Sequence, residues 1–173
     1  ALEAAAEALG AASGDTWVES FAASAAGWIL AARGEGEAAC AASRRALHHA
    51  PDPFTRASAL GTLGMAHLAS DDPAGAIPWL ERAVEQFGRF TNRQIEGRFL
   101  VFLGKAYLLL GRLDEARRSA ARGLEMCRAI GFAYGIGLAE RTVGRVSLAA
   151  GRSDEAETHL GTARDLFAVM GSP

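Results

Sequence analysis

The chain has 173 residues, half of them hydrophobic and 22% charged, so it can bury a core and wholesale disorder is excluded. A formal net charge of −2 argues against a strongly electrostatic nucleic-acid binder. Two cysteines, Cys40 and Cys127, stand far apart on separate predicted helices, so neither a disulfide framework nor a thiolate metal site is read and a reducing, cytoplasmic compartment is expected.

Much of the apolar content is alanine, and the β-branched and aromatic runs of strands are nearly absent, so the chain is expected to be all-α. Residues 1–10, ALEAAAEALG, read as the end of a preceding helix closed by Gly10. The chain opens directly in this helix-like stretch without an initial Met and is expected to be a fragment of a longer protein. Asp15 or Thr16 caps the next helix, which runs through Trp17, Phe21, Trp28 and Leu30 to about Ala32. Its uncharged stretch, 20–32, falls well short of a bilayer's thickness, which takes about 20 apolar residues to span. No basic n-region precedes an apolar core either, so no membrane span or signal peptide is read.

Arg33-Gly34-Glu35-Gly36 is a hinge, and a second helix follows from Glu37 to about His49, stopped by Pro51. Asp52-Pro53 starts a third helix, with Leu60, Leu63 and Met65, that ends near Ser70. Asp72-Pro73 repeats the signal for a helix holding Ile77, Leu80, Val84 and Phe87. Pro78 lies about one turn past Pro73, where a mild distortion is expected rather than the ~3 kcal/mol of a helix interior. Further helices are expected over roughly 92–110, 113–130, 133–150 and 153–170. The count is one leading helix plus four pairs, about nine helices.

An internal repeat organises these elements. Arg98 to Ala120, RFLVFLGKAYLLLGRLDEARRSA, recurs forward as TVGRVSLAAGRSDEA (142–156) and backward as TLGMAHLASDDPAGA (62–76). Gly64, Gly104 and Gly144 are evenly spaced, and Ala76, Ala116 and Ala156 keep the same interval. A fixed period of a few tens of residues is the signature of stacked repeats. One helix pair cannot bury its apolar stripe alone, whereas a stack can.

Leu103-Gly104, Tyr107, Gly111, Ala116 and Ala120 follow, in order, a pattern that resembles the tetratricopeptide repeat. Leu63-Gly64, Ala76, Leu80 and Ala83 follow it with His67 at the aromatic position and Asp71 at the hinge. Val143-Gly144, Gly151, Ala156, Leu160 and Ala163 follow it with Ser147 in place of the aromatic, and the first pair keeps Gly27, Gly34, Ala39, Ala46 and Pro51. The resemblance implies a right-handed α-solenoid of stacked antiparallel helix pairs over 1–173, with repeats at about 16–51, 52–90, 92–130 and 133–171. The commonest unit of that family runs to about 34 residues, shorter than the interval between these glycines. The longer unit here looks like those of large bacterial signalling ATPases, LuxR-type regulators among them.

Little in the chain points to catalysis or to a cofactor. His48 and His49 are adjacent and diverge on a helix, His67 falls at a repeat core position, and His159 stands alone, so no metal site is expected. No GxxxxGK[ST], HExxH or GxSxG occurs. Asp114-Glu115 fit the electrostatics of a helix start better than acid–base work.

The first helix of each pair lines the groove in this fold, and the repeat register turns four positions of each inward. These are Phe21, Ser24, Trp28 and Ala31; Ser58, Gly61, Met65 and Leu68; Arg98, Val101, Lys105 and Leu108; and Leu138, Arg141, Arg145 and Leu148. The candidate partner-binding residues are therefore Trp28, Met65, Arg98, Lys105, Arg141 and Arg145. The four cations are expected to gather around an anionic segment such as an acidic peptide. The plainer reading pairs them with Glu96 or Glu140 as ordinary solvated groove residues.

The expected function is a non-catalytic protein–protein interaction module that holds a peptide or a domain of its own parent protein. One alternative is a sensor that takes a small effector and signals to a linked ATPase. Another is self-association through Leu160, Ala163, Leu166, Phe167 and Met170 of the last helix.

Overall fold

Carboxylate caps, prolines and left-handed turns cut the chain into helices of nearly uniform length. The computed structural model describes residues 14–171, so the helix expected over 1–10 lies outside the described residues. Among them are eight helices and no strand: α1 (Thr16–Ala32), α2 (Gly36–His49), α3 (Pro53–Ala69), α4 (Pro73–Arg89), α5 (Arg93–Leu109), α6 (Leu113–Ala129), α7 (Ala133–Ala149) and α8 (Ser153–Val169). The all-α arrangement of helix pairs is the one expected from the repeat.

Helices α3 to α8 each span 17 residues. They begin at Pro53, Pro73, Arg93, Leu113, Ala133 and Ser153, so the interval between repeat glycines divides into two equal steps, one per helix. The middle residue of each intervening turn is left-handed: Asp71 (φ 56), Thr91 (φ 53), Gly111 (φ 72), Gly131 (φ 66) and Gly151 (φ 75). Glycine takes this conformation at no steric cost, whereas Asp71 and Thr91 carry a Cβ into it. Helix α2 has only 14 residues, which shortens the first repeat and blurs its pattern.

Side chains cap four of these eight helices. Asp15 accepts from the Trp17 amide at 2.8 Å, and Asp52 accepts from Phe54 and Thr55 at 2.8 and 2.9 Å with Pro53 at the first helical position. Asp72 accepts from Gly75 at 2.8 Å and Asn92 from Ile95 at 3.2 Å. Helices α6 and α8 have no side-chain cap bond, but each carries an Asp-Glu pair in its first turn, where the helix dipole favours anions. Arg112 and Arg152 close these turns onto Glu115 and Glu155. Helix α4 runs unbroken through the exposed Pro78, which as its sixth residue forgoes one i→i−4 bond, to the Ala74 carbonyl.

The helices fall into two compact units, the first ending at Phe90 and the second beginning at Thr91. In the first, α1 packs against α2 and α3, and α3 against α2 and α4. In the second, α5 packs against α6 and α7, and α7 against α6 and α8. Phe54, Phe87 and Phe90 form a ring cluster in the first unit, with centroids 5.3 to 6.0 Å apart. Val101, Ala120, Leu124, Leu138 and Val143 form the core of the second.

Each hairpin closes on a glycine of its first helix. A Cβ at Gly64 would lie 2.6 Å from Leu80 Cγ and 3.2 Å from the Ala76 carbonyl oxygen. At Gly104 it would lie 3.0 Å from the Ala120 amide nitrogen and 3.1 Å from the Ala116 oxygen. At Gly144 it would lie 2.8 Å from Leu160 Cγ, and at Gly27 2.6 Å from Ser43 Oγ. The facing alanines Ala39, Ala76 and Ala116 are fully buried and Ala156 nearly so.

This packing and capping make two measurable differences. Ala116→Leu overfills a closed contact and is expected to cost about 1–3 kcal/mol in a urea melt, while Ala121→Leu on the exposed face should stay within about 0.5 kcal/mol of the parent. The Gly75 amide, and after it the His67 ring at 2.8 Å, holds the Asp72 carboxyl below its ordinary 3.8. A pKa lowered by folding stabilises above the unfolded value and is lost as pH falls through the folded one. Asp72→Ala should therefore cost about 0.5–2 kcal/mol at neutral pH, and the gap to the parent should narrow progressively in melts run as pH falls from 3.8.

Candidate functional site

Helices α5 and α7 lie side by side in the second unit, and their facing turns frame a small pocket. Val101, Phe102, Lys105 and Leu108 of α5 line it from one side, and Leu138, Arg141, Thr142 and Arg145 of α7 from the other, around about 60 Å³. Six of these eight occupy the register positions that the repeat turns inward. Phe102 and Thr142 are the additions, each one residue beyond an inward position.

Lys105, Arg141 and Arg145 thus meet around one opening, with apolar side chains beneath. Lys105 is half-buried while both arginines are exposed. Burial, and then the charges of Arg141 and Arg145, hold the Lys105 ammonium below its ordinary 10.5. The Arg141 guanidinium sits 5.4 Å from the centre of the Phe167 ring of α8, which positions it without consuming its N–H donors.

The acids that could have neutralised this cluster are engaged on the other side. Glu96 is 4% exposed and accepts from Arg122 of α6 at 2.5 Å. Glu140 is 1% exposed; its Oε1 accepts from Arg128 of α6 at 2.5 Å, and its Oε2 lies 2.6 Å from His159 Nδ1 of α8. Among the described residues no carboxylate forms an ion pair with Lys105, Arg141 or Arg145. For these three cations the plainer pairing with Glu96 or Glu140 is not the one formed, since the α6 arginines Arg122 and Arg128 hold those carboxylates.

The other candidate residues do not join the pocket. Arg98 lies two turns before Lys105 on α5 but does not line it. Its guanidinium is desolvated, which lowers its pKa to about 10 against the opposing influence of Tyr134 and Cys127. Cys127 is fully buried, and burial raises its thiol above the ordinary value. In the first unit Met65, on α3 packed against α1, α2 and α4, is 4% exposed. Trp28 is half-buried, whereas Trp17 and Phe21 stack at 5.4 Å and are the exposed aromatics of α1.

Three of the histidines serve local structure: His67 braces the Asp72 cap, His49 lies 3.0 Å from Glu19, and His159 joins the Glu140 pair. Of the apolar stripe of α8, Leu160 lies beside Gly144, Ala163 is buried and Phe167 sits 6.2 Å from Tyr134, while Leu160, Leu166, Phe167 and Met170 stay half-exposed. Among the described residues no helix is long and apolar enough to cross a membrane.

A family model described as the tetratricopeptide repeat matches residues 55–129, and a second of the same description matches 20–45 and 144–162. No curated protein sequence matches the chain significantly. Among solved structures, BtubC (BKLC) from P. vanneervenii superposes with a TM-score of 0.71 at 19% identity, covering 92% of this chain and 67% of that one. The TPR-like repeats of a putative kinesin light chain from Podosopora anserina give 0.66 at 15% identity over 98% and 85% of the two chains. MamA gives 0.61 at 19% identity over 98% and 88%. At these identities the likeness is one of fold.

The pocket carries a stability consequence of its own. A lysine whose pKa is lowered by folding binds its proton better in the unfolded chain, so its charge is a net cost below the lowered value and stability rises as pH climbs from there towards 10.5. Lys105→Met should accordingly raise stability at neutral pH by about 0.5–2 kcal/mol, read as a later midpoint in urea with an unchanged slope.

Proposed function

The chain belongs to the tetratricopeptide repeat family, and on that premise we propose that it is a non-catalytic interaction module whose second unit holds an acidic segment of a protein partner. Lys105, Arg141 and Arg145 receive the segment's carboxylate, and the half-buried Phe102 and Leu108 receive its apolar neighbours. The observation that carries this reading is the diversion of Glu96 and Glu140 to Arg122 and Arg128, which leaves three clustered cations without an acid among the described residues. Like charges held together in a half-buried site are relieved by an incoming anion, and the planar guanidinium forks suit a carboxylate well.

The pocket's size supports an anchor of one acidic side chain rather than a whole ligand, with the rest of the segment lying along the exposed turns of α5 and α7. The same small volume weighs against a drug-sized effector, since such sites run to several hundred cubic ångströms. A bacterial signalling or regulatory protein is the setting that the long repeat unit suggests, with the partner a peptide or domain of the parent protein.

The reading is tested with fluorescein-labelled peptides of matched length, one carrying Glu and Leu and one carrying Lys and Leu. Anisotropy should show binding of the acidic peptide alone, weakening as salt is raised. Arg141→Glu with Arg145→Glu should weaken it by about 1–2 kcal/mol at low salt. Equal affinity of parent and double variant for the acidic peptide would overturn the reading.

A further inference from the structure

Lysine and arginine together number 18 in the chain, and all but one are arginine; the single lysine is Lys105. It is also the basic residue that the fold places in the pocket between two guanidiniums. Arginine stays protonated under ordinary conditions, so Lys105 alone of these three can present a neutral, nucleophilic nitrogen.

We propose that Lys105 is a modification site, acylated by acyl phosphates whose phosphate group is held by Arg141 and Arg145. The proposal rests on the anion-binding reading of this pocket and adds a covalent step to it. An acyl phosphate joins a dianionic handle to an electrophilic carbonyl carbon, and the pocket offers cations for the first and an amine for the second. Two guanidiniums at the mouth match a phosphate's spread of acceptor oxygens. The stacking of Arg141 on Phe167 leaves its N–H donors available for that contact. The half-burial of Lys105 and its two cationic neighbours also favour the neutral amine, by the same route that activates buried lysine nucleophiles elsewhere.

The step balances without a further reactant. The Nζ lone pair adds to the carbonyl carbon, the C–O bond to phosphate breaks, and the phosphate leaves with that electron pair. The proton lost from nitrogen passes to the departing phosphate, which leaves a neutral amide. Acylation therefore reduces the cluster from three cations to two and weakens its hold on an acidic segment. The pocket becomes a binding site whose affinity is set by acyl phosphate supply.

The experiment uses acetyl phosphate and the native protein, with intact mass and peptide mapping as readouts and Nα-acetyl-lysine amide as reference amine. An acetyl group is expected on Lys105 by peptide mapping, formed about tenfold faster than on the reference. Arg141→Gln with Arg145→Gln should bring the rate down to that of the reference, as should the parent protein unfolded in urea. Inorganic phosphate should slow the parent's reaction, which tests the phosphate contact without any substitution. Lys105→Arg should remove the adduct.

A native rate no higher than the reference, or one indifferent to both phosphate and the arginine substitutions, would overturn the proposal. If acidic peptide binds but Lys105 reacts as the reference does, the covalent step falls and the groove reading stands. If Lys105 reacts as expected while charge reversal leaves peptide binding unchanged, the acidic-segment reading falls instead.

Discussion

The close contact of a glycine on each first helix with a small or flexible residue on the second is the constraint on which the rest depends. Gly27 meets Ala39 and Ser43; Gly64 meets Ala76 and Leu80; Gly104 meets Ala116 and Ala120; Gly144 meets Leu160. With no Cβ in the way, two helix backbones approach nearly to van der Waals contact, and the larger side chains around them are left to fill the remaining volume. Where the partner is Leu80 or Leu160, a side chain can give; where it is the Ala120 amide, backbone meets backbone and nothing can. The central hairpin of the repeat pattern is thus also the least tolerant of change.

That contact sets the charge arrangement. It fixes the rotation of α5 and α7, which turns Glu96 and Glu140 towards α6 and turns Lys105, Arg141 and Arg145 the other way. Each buried carboxylate finds a hydrogen-bonded guanidinium, as burial demands. Acid and base are sorted onto opposite sides of one helix pair, so a chain with little net charge presents a locally cationic surface. Composition alone would never have suggested it.

Fold and pocket were legible in the sequence to different depths. Helix ends were plain because Asp52-Pro53, Asp72-Pro73 and the hinge glycines leave the backbone few options. The inward register of α5 and α7 was plain because a helical residue's direction follows from position once one contact is anchored by Gly104 or Gly144. What a register cannot supply is depth. Met65 and Lys105 hold the same register position in successive repeats, yet Met65 is covered and Lys105 opens to a pocket. The partners of Glu96 and Glu140 were equally hidden, since Arg122 and Arg128 lie 26 residues after one and 12 before the other. The one-helix step inside the repeat escaped notice because Asp71 and Thr91 hold turns that glycine would have advertised.

That regular step has a bearing on how such a chain changes length over time. From Pro53 onward every turn has the same span and every helix the same number of residues, so any two turns separated by whole hairpins are interchangeable as points of recombination. A duplication or loss of two helices returns each remaining side chain to its former facing, while a single-helix event would exchange the roles of pocket wall and outer support. Lineages carrying this fold should therefore differ in length by whole hairpins, and their indels should fall at the left-handed turn residues.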